Sequence, residues 1–163
     1  MKKHFIKSGK KTFQSTRCKK IPENIHKDFH GALSTGFKYL SEKYGKGVLE
    51  EFLKICGKNM YGWLIKKIKR EGLLAIERYW NEIFSLEGAD FEIDKRKDGI
   101  ILRVLECPAI THMKKAGYDV YNDFCMQCRV INKVIAEETG FKSAVSYDCT
   151  KGRCIQKFKK ELR

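Results

Sequence analysis

The chain of 163 residues is 42% hydrophobic and 33% charged, with 2 prolines, which is the composition of a globular domain and excludes a disordered chain. No apolar run approaches the roughly 20 residues of a membrane span, and no signal-peptide core follows the basic start. We therefore predict a cytoplasmic protein with no membrane partner. The charged, Lys- and Ile-rich composition is compatible with a thermophilic source.

The net charge of +14 is concentrated at the N-terminus, where residues 1–20 contain Lys and Arg but no acid. The segment 21–149 is nearly balanced in charge. We predict a basic N-terminal arm over 1–20 and a single domain over 21–163. The arm is interpreted as solubilising or loosely interacting, and specific binding of nucleic acid is the alternative.

Three amphipathic helices are predicted in the first half of the chain. Apolar residues recur at helical spacing over 25–44, 48–70 and 73–84, and Pro22 is a possible helix start. Each segment is followed by a glycine that can end it: Gly45, Gly72 and Gly88. In the second helix we predict one apolar stripe made of Val48, Leu49, Phe52, Cys56, Met60, Trp63 and Leu64. Most aromatic side chains are interpreted as core.

Two hairpins are predicted in the second half, where apolar and polar residues alternate. Asp98-Gly99 would supply the positive φ angles of a tight turn in the first hairpin. The predicted strands cover 91–94, 100–107, 142–149 and 154–160, and the helices between the hairpins cover 109–116 and 123–139. We therefore predict an α+β fold with N-terminal helices packed on an antiparallel sheet of hairpins, and a long helix between the hairpins.

Five of the seven cysteines lie in the segment 107–154, which indicates metal or redox chemistry in a reducing compartment. Cys125 and Cys128 stand three apart at a predicted helix start, where the helix dipole favours thiolates that can bind one tetrahedral ion. A four-residue loop would make Cys149 and Cys154 a cross-strand pair with converging sulfurs. The two pairs predict a Cys₄ zinc site, with Cys107 as a fifth candidate ligand.

The cysteine pattern leaves other interpretations open. An iron–sulfur cluster also accepts four cysteines. Cys125 and Cys128 could instead be a thiol-redox pair, or the thiols could be inert packing. Cys18 and Cys56 are interpreted as small buried hydrophobes.

Candidate ligand-binding residues lie on the predicted helices. His26 and His30 are four apart on one face, which can hold a ligand or zinc, but the glutamate of the metalloprotease motif is absent. His112 is a further candidate ligand for a metal site that contains both cysteine and histidine. The candidates to line an apolar pocket between helices and sheet are Tyr61, Trp63 and Trp80.

The C-terminal half contains a cysteine pair at a helix start, a strand ending in cysteine, a glycine-containing turn and a second cysteine before an aromatic: Cys125/Cys128, Tyr147-Asp148-Cys149, Lys151-Gly152-Arg153, Cys154 and Phe158. In this pattern the segment 90–160 resembles the 4-vinyl reductase domain family, found in bacteriochlorophyll biosynthesis and in aromatic-sensing transcriptional activators. The resemblance implies helices packed on an antiparallel sheet around a ligand cavity. That fold is shared with nitric-oxide-sensing haem domains and a vesicle-tethering subunit.

The resemblance also implies a ligand set. Zinc-binding members of the family use cysteines of this region and a glutamate three residues before the hairpin cysteine. This chain has Ser146 at that position, so Cys107 or the second thiol of the Cys125/Cys128 pair would supply the missing ligand.

The leading prediction is a zinc-stabilised domain that binds a small apolar or aromatic ligand, with a homodimer as a possible assembly. The first alternative is a reductase-like or thiol- or metal-dependent enzyme. The second is a basic, zinc-containing nucleic-acid-binding module.

Overall fold

A computed structural model describes residues 27–161, and its architecture within that range is α+β, as predicted. In chain order its elements are α1 (Phe29–Tyr44), α2 (Lys46–Glu71), α3 (Leu73–Leu86), β1 (Asp90–Arg96), β2 (Gly99–Glu106), α4 (Pro108–Lys115), α5 (Met126–Thr139), β3 (Phe141–Asp148) and β4 (Arg153–Lys160). None of these helices is both long and apolar enough to cross a bilayer. The predictions for the basic arm 1–20, Cys18, Pro22 and His26 fall outside the described residues.

The four strands form one antiparallel sheet in the order β1-β2-β4-β3. Each predicted hairpin pairs its own two strands, and β2 joins the hairpins by pairing with β4. Val104 near the end of β2 lies opposite Cys154 near the start of β4. The end of β2 and the β3–β4 turn therefore meet at one end of the sheet.

The first hairpin turn is shorter than predicted, because only Lys97 and Asp98 lie between β1 and β2. Gly99 is the first residue of β2 and does not have a positive φ, so the prediction that Asp98-Gly99 supplies positive φ angles is wrong. Gly99 is required for a different reason. A Cβ atom there would lie 2.7 Å from the carbonyl oxygen of Phe158, so only glycine lets β4 approach this closely.

The turn of the second hairpin begins one residue earlier than predicted, which changes the strand pairing by two residues. Tyr147 pairs with Cys154, and Cys149 lies in the turn 149–152. The prediction that Cys149 and Cys154 form a cross-strand pair is therefore wrong. The turn starts early because the Asp148 carboxylate accepts hydrogen bonds from the backbone N–H groups of Thr150 (3.0 Å) and Lys151 (3.1 Å), as in an Asx turn.

Helix α2 is continuous for 26 residues and has two apolar faces. The inner face, with Leu49, Leu53, Leu64 and Ile68, is buried. The outer face exposes Val48, Phe52, Ile55, Met60 and Trp63, so the prediction of one apolar stripe is wrong. Val48 and Leu49 are neighbours in sequence, but they point about 100° apart around the helix, and a stripe containing both must span two faces.

Two hydrophobic clusters make up the core. The first joins α3, the second half of α2, α5 and the sheet, and includes Trp80, whose ring centroid lies 5.8 Å from that of Phe158. The second joins α1, the first half of α2, α4 and the start of α5 around Phe124. Cys107 packs against both clusters. The region where the clusters meet is where the remaining cysteines of the segment 107–154 also lie.

Candidate thiol-rich site

The five cysteines of the segment 107–154 come from three parts of the fold: the junction of β2 and α4, the start of α5, and the β3–β4 hairpin. Cys107 follows β2 and is the N-cap of α4, and Cys125 is the N-cap of α5. Cys128 lies in the first turn of α5, Cys149 in the β3–β4 turn, and Cys154 in β4. All five thiols are free. The predicted position of Cys125 and Cys128 at a helix start is confirmed.

A backbone hydrogen bond fixes the β3–β4 turn beside Cys107. The N–H of Cys107 donates to the carbonyl oxygen of Gly152 at 2.8 Å. Gly152 has a φ of 63°, and a Cβ atom there would lie 3.2 Å from a methyl group of Ile110. Glycine is therefore needed both for the turn conformation and for its close contact with α4.

Cys149 receives hydrogen bonds from the start of α5. The backbone N–H of Cys125 donates to Cys149 Sγ at 3.3 Å. A hydrogen bond from the Cys125 thiol, together with this N–H, lowers the pKa of Cys149 to about 7 although burial opposes the shift. The pKa of Cys125 is raised, first by the same bond to Cys149 and then by burial. The first proton lost by the pair therefore comes from Cys149, and it is lost around pH 7.

The other thiols keep their protons to higher pH. Burial is the largest cause in each case: it raises the pKa of Cys128 well above its ordinary value, that of Cys154 to about 11, and that of Cys107. The charges of neighbouring thiolates add to the shift: those of Cys154, Cys107 and Cys149 each raise the pKa of Cys128. The five thiols are thus close enough to influence one another electrostatically. Without a cation among them, they cannot all ionise.

A buried amide pair orients Cys154. Asn132 on α5 donates to the side-chain oxygen of Gln156 on β4 at 2.6 Å, and both residues are buried. The Gln156 amide nitrogen in turn donates to Cys154 Sγ at 3.5 Å. This chain of hydrogen bonds ties the sulfur in the sheet to the helix that carries Cys128.

Glu87 at the end of α3 is part of the same region, and the sequence did not point to it. Burial is the largest cause of the raised pKa values of Cys107, Cys128, Tyr61 and Tyr79. The negative charge of Glu87 adds to the shift in all four. In the sequence, Glu87 before Gly88 looks like the end of an ordinary surface helix. Only the packing of α3 against the rest of the fold brings Glu87 near the thiols.

His30 is a buried side chain without hydrogen-bond partners. It is 7% exposed, and both ring nitrogens lack a partner within hydrogen-bonding distance among the described residues. Its Nε2 lies 3.6 Å from Glu87 Oε2, which is longer than a hydrogen bond. An edge-on contact with Phe124 (6.5 Å between ring centroids) places His30 next to the residue that precedes Cys125. Buried polar atoms without partners are uncommon and mark a place where a ligand or water can bind.

Cys128 on α5, Tyr61 on α2 and Tyr79 on α3 are half-buried. The two tyrosine rings meet edge to face at 6.2 Å. Burial is the main cause of the raised pKa values of both tyrosines, and the charge of Cys128 contributes to both. The three side chains therefore lie in the same region of the fold.

The other predicted candidates lie elsewhere. Trp63 is 55% exposed on the outer face of α2, and Trp80 is in the core. His112 Nε2 is hydrogen-bonded to Asp28 Oδ1 at 2.8 Å. Cys56 is partly exposed on α2 and is not fully buried as predicted.

The side chains as they stand do not form a closed metal site. Between residues 27 and 161, no group of three or more His, Cys, Asp or Glu side chains is arranged to hold a metal ion. The donor types nevertheless suit zinc, which takes cysteine, histidine and carboxylate ligands. Closing the shell would require the cysteine side chains to change rotamer.

No protein-family model matches this chain, and no curated protein or solved structure is significantly similar to it. The resemblance to the 4-vinyl reductase domain family therefore stays a prediction.

Proposed function

We propose that this chain is a small-molecule-binding domain stabilised by zinc on its clustered thiols. The observation that carries the proposal is Cys128, whose pKa is raised by burial and by the charges of three other thiols, Cys154, Cys107 and Cys149. The candidate zinc ligands are Cys107, Cys125, Cys128, Cys149 and Cys154. Cys128 also influences the pKa values of Tyr61 and Tyr79, so the thiols and this aromatic pair lie in the same region.

Zinc suits this cluster because it removes the cost of ionising several buried thiols. Burial is the main cause of the raised thiol pKa values and repulsion between thiolates adds to it, and a dication between the sulfurs opposes both effects. Binding would release protons and contribute folding free energy, on the order of 10 kcal/mol for thiolate-rich zinc sites. An iron–sulfur cluster is the alternative occupant.

The ligand suited to this region is small and mainly apolar or aromatic. Tyr61 and Tyr79 offer ring surfaces, which favour aromatic or aliphatic contacts. His30 Nε2 and Glu87 Oε2, which lie 3.6 Å apart, offer polar atoms. A ligand with one polar group would satisfy the His30 nitrogens, which have no hydrogen-bond partner among residues 27–161.

Metal analysis tests the zinc component. The purified, reduced protein should contain about one zinc per chain, and Cys128→Ser and Cys149→Ser should each lower the zinc content and the melting temperature together. Cys56→Ser is the matched control and should change neither. A protein that takes up no metal would contradict this component, and a brown, iron-containing protein would replace zinc with a cluster.

Benzene serves as the probe for the ligand component, because it is a small aromatic ligand without polar groups. We expect saturating benzene to raise the melting temperature, and Cys128→Leu, which places a larger side chain in the region of Tyr61 and Tyr79, to abolish the rise. Cys56→Leu should leave it intact. Equal responses from wild type and Cys128→Leu would show that Cys128 does not border a ligand site.

A thiol-redox protein is the second candidate function, supported by the hydrogen-bonded pair of Cys149 and Cys125. A thiolate with a pKa of about 7 beside a second thiol can attack an external disulfide. The exchange would oxidise Cys149 and Cys125 to one disulfide and reduce the external disulfide to two thiols. Zinc-free protein should then lose two hydrogens per chain in oxidised glutathione, and Cys149→Ser should not. Zinc-loaded protein that is oxidised equally fast would favour this function over the zinc-stabilised one.

A further inference from the structure

Among residues 27–161, His30 is the buried polar residue whose side chain has no hydrogen-bond partner. The other buried polar residues of this range, Ser34, Asn132 and Gln156, all form hydrogen bonds. An imidazole that is buried in this way loses the hydrogen bonds that it makes to water, and a bound ion or ligand can replace them. His30 is therefore the position in the described chain where an additional bound group would remove an unfavourable burial.

The Glu87 carboxylate faces His30 from the end of α3. Its Oε2 atom lies 3.6 Å from His30 Nε2, and the Glu87 side chain is 21% exposed. The backbone carbonyl oxygen of Glu87 accepts a hydrogen bond from Lys27 Nζ at 2.6 Å, which ties this end of α3 to the residue that lies just before α1. A change of about 0.6 Å in the glutamate side chain would give an N–H···O bond of ordinary length between His30 and Glu87.

This geometry leaves Nδ1 as the ring nitrogen of His30 that does not face a carboxylate. A histidine that binds a metal through one nitrogen almost always donates its other N–H to a carboxylate, a backbone carbonyl or water. That hydrogen bond fixes the tautomer and makes the metal-binding nitrogen more basic. Glu87 is positioned to be such a carboxylate, with Nε2–H as the donor and the lone pair of Nδ1 left for a metal.

The region around His30 and Glu87 is also the region of the clustered thiols. The His30 ring contacts the Phe124 ring edge on, at 6.5 Å between centroids, and Phe124 immediately precedes the N-cap of α5. Phe124 packs in the same hydrophobic cluster as Cys107. The pKa values of Cys107 and Cys128 are raised first by burial, and the charge of Glu87 adds to both shifts. A metal bound by these thiols would therefore lie in the part of the fold that contains His30.

We infer that His30 supplies the nitrogen ligand of the zinc at the thiol-rich site, in a shell of three thiolates and one imidazole, with Glu87 accepting a hydrogen bond from the other ring nitrogen. The inference rests on the proposed zinc site and specifies one of its ligands. Three cysteines and one histidine are an established shell for structural zinc. A neutral imidazole in place of a fourth thiolate also reduces the repulsion between the shell and the Glu87 carboxylate.

Zinc binding would close the shell by moving side chains. Between residues 27 and 161 no three donors are arranged around a common point as they stand, so the cysteines must change rotamer when the metal binds. His30 needs no such change to lose its present hydrogen bonds, because it makes none.

X-ray absorption of the whole, reduced, zinc-loaded chain tests the assignment, because imidazole rings scatter in a pattern that thiolates do not produce. Wild type should show three sulfurs and one imidazole, and His30→Ala should lose the imidazole signal. His112→Ala is the matched control and should keep it, since His112 Nε2 is hydrogen-bonded to Asp28. Zinc with four sulfurs, or an imidazole signal that persists in His30→Ala, would overturn the inference and leave the zinc site standing. A wild type without zinc would overturn both.

His30→Cys separates metal binding from a purely structural role of His30. The longer Zn–S bond compensates for the shorter side chain, so this variant should hold about one zinc with four sulfurs. In a chelator competition, His30→Ala should weaken zinc binding at least about 10-fold, and Glu87→Ala by about 10- to 100-fold with the imidazole signal retained. A sulfur count in His30→Cys equal to that of wild type would show that position 30 does not contact the metal.

Discussion

Cys149 and Cys128 show how position decides the chemistry of a thiol. Cys149 lies where the Cys125 thiol and N–H can donate to it, and its pKa falls to about 7. Cys128 lies in the first turn of α5, and burial is the largest cause of its raised pKa. The cysteine spacing in the sequence predicted that the thiols would be neighbours, but it could not predict these opposite shifts, which depend on tertiary packing.

The pKa shifts predict how the stability of the metal-free protein depends on pH. Between pH 7 and 9 the folded state holds Cys149 ionised while the unfolded chain still protonates it, so stability rises with pH. Above pH 9 the unfolded chain releases protons that folded Cys107, Cys128 and Cys154 retain, so stability falls. The fall should reach ~1.4 kcal/mol per pH unit for each such thiol.

Urea unfolding of the reduced, metal-free protein from pH 7 to 10.5 measures this dependence. Cys154→Ala should fall less steeply above pH 9, because it lacks one proton-retaining thiol. Parallel curves for the variant and wild type would show that Cys154 does not titrate at a raised pKa.

Asn132 is predicted to contribute to stability through Gln156. Asn132→Leu would leave the buried Gln156 amide oxygen without its donor, which should cost roughly 1–3 kcal/mol of unfolding free energy. Asn81→Leu is the matched surface control and should change the free energy of unfolding by less than about 0.5 kcal/mol. Similar urea midpoints for the two variants would refute a structural role for the buried pair.

Helix α2 shows what a sequence pattern can and cannot determine about an element. The helix itself was predicted from periodicity over 48–70, and it continues through Gly57 and Gly62 without a break. Gly57 has a packing role: a Cβ atom there would lie 3.2 Å from two side-chain carbons of Val134 on α5. Gly62 has no atom within 4 Å of such a Cβ. The sequence could not distinguish the two, because the distinction depends on which helix packs nearby.

Alanine substitutions at Gly57 and Gly62 test the close packing of α2 against α5. Gly62→Ala should stabilise the protein by about 0.5–1 kcal/mol, because alanine loses less backbone entropy in a helix. Gly57→Ala should gain less or destabilise, since the new methyl group must displace Val134. Adding Val134→Ala to Gly57→Ala should recover much of the difference. Thermal melts that rank Gly57→Ala above Gly62→Ala would contradict the proposed close α2–α5 packing.

The second hairpin shows another feature that the sequence pattern could not predict, the position of its turn. Alternation predicted all four strands, but it placed Cys149 in β3 because the sequence pattern does not reveal that Asp148 closes the turn. The earlier turn shifts the pairing by two residues, which leaves each side chain on its predicted face but places Cys149 outside β3. Cys149 receives the hydrogen bond from the Cys125 N–H from its position in the turn.

At the scale of the whole molecule, the thiols lie where two hydrophobic clusters meet. Cys107 packs against both clusters, Cys154 against the first, and Cys149 against the second. A metal bound here would join the sheet, α4 and α5. The fold class and the grouping of cysteines could be predicted from the sequence. The position of Glu87, the burial of His30 and the exposed face of α2 could not, because they depend on how distant segments pack.

Zinc K-edge X-ray absorption on the purified, reduced protein tests the central claim most directly. We expect about one zinc per chain with three or four sulfur ligands at about 2.3 Å, and one fewer sulfur or lost zinc in Cys128→Ser. Zinc bound only by nitrogen and oxygen, or a Cys128→Ser spectrum identical to that of wild type, would contradict a thiolate site at the junction of the two clusters.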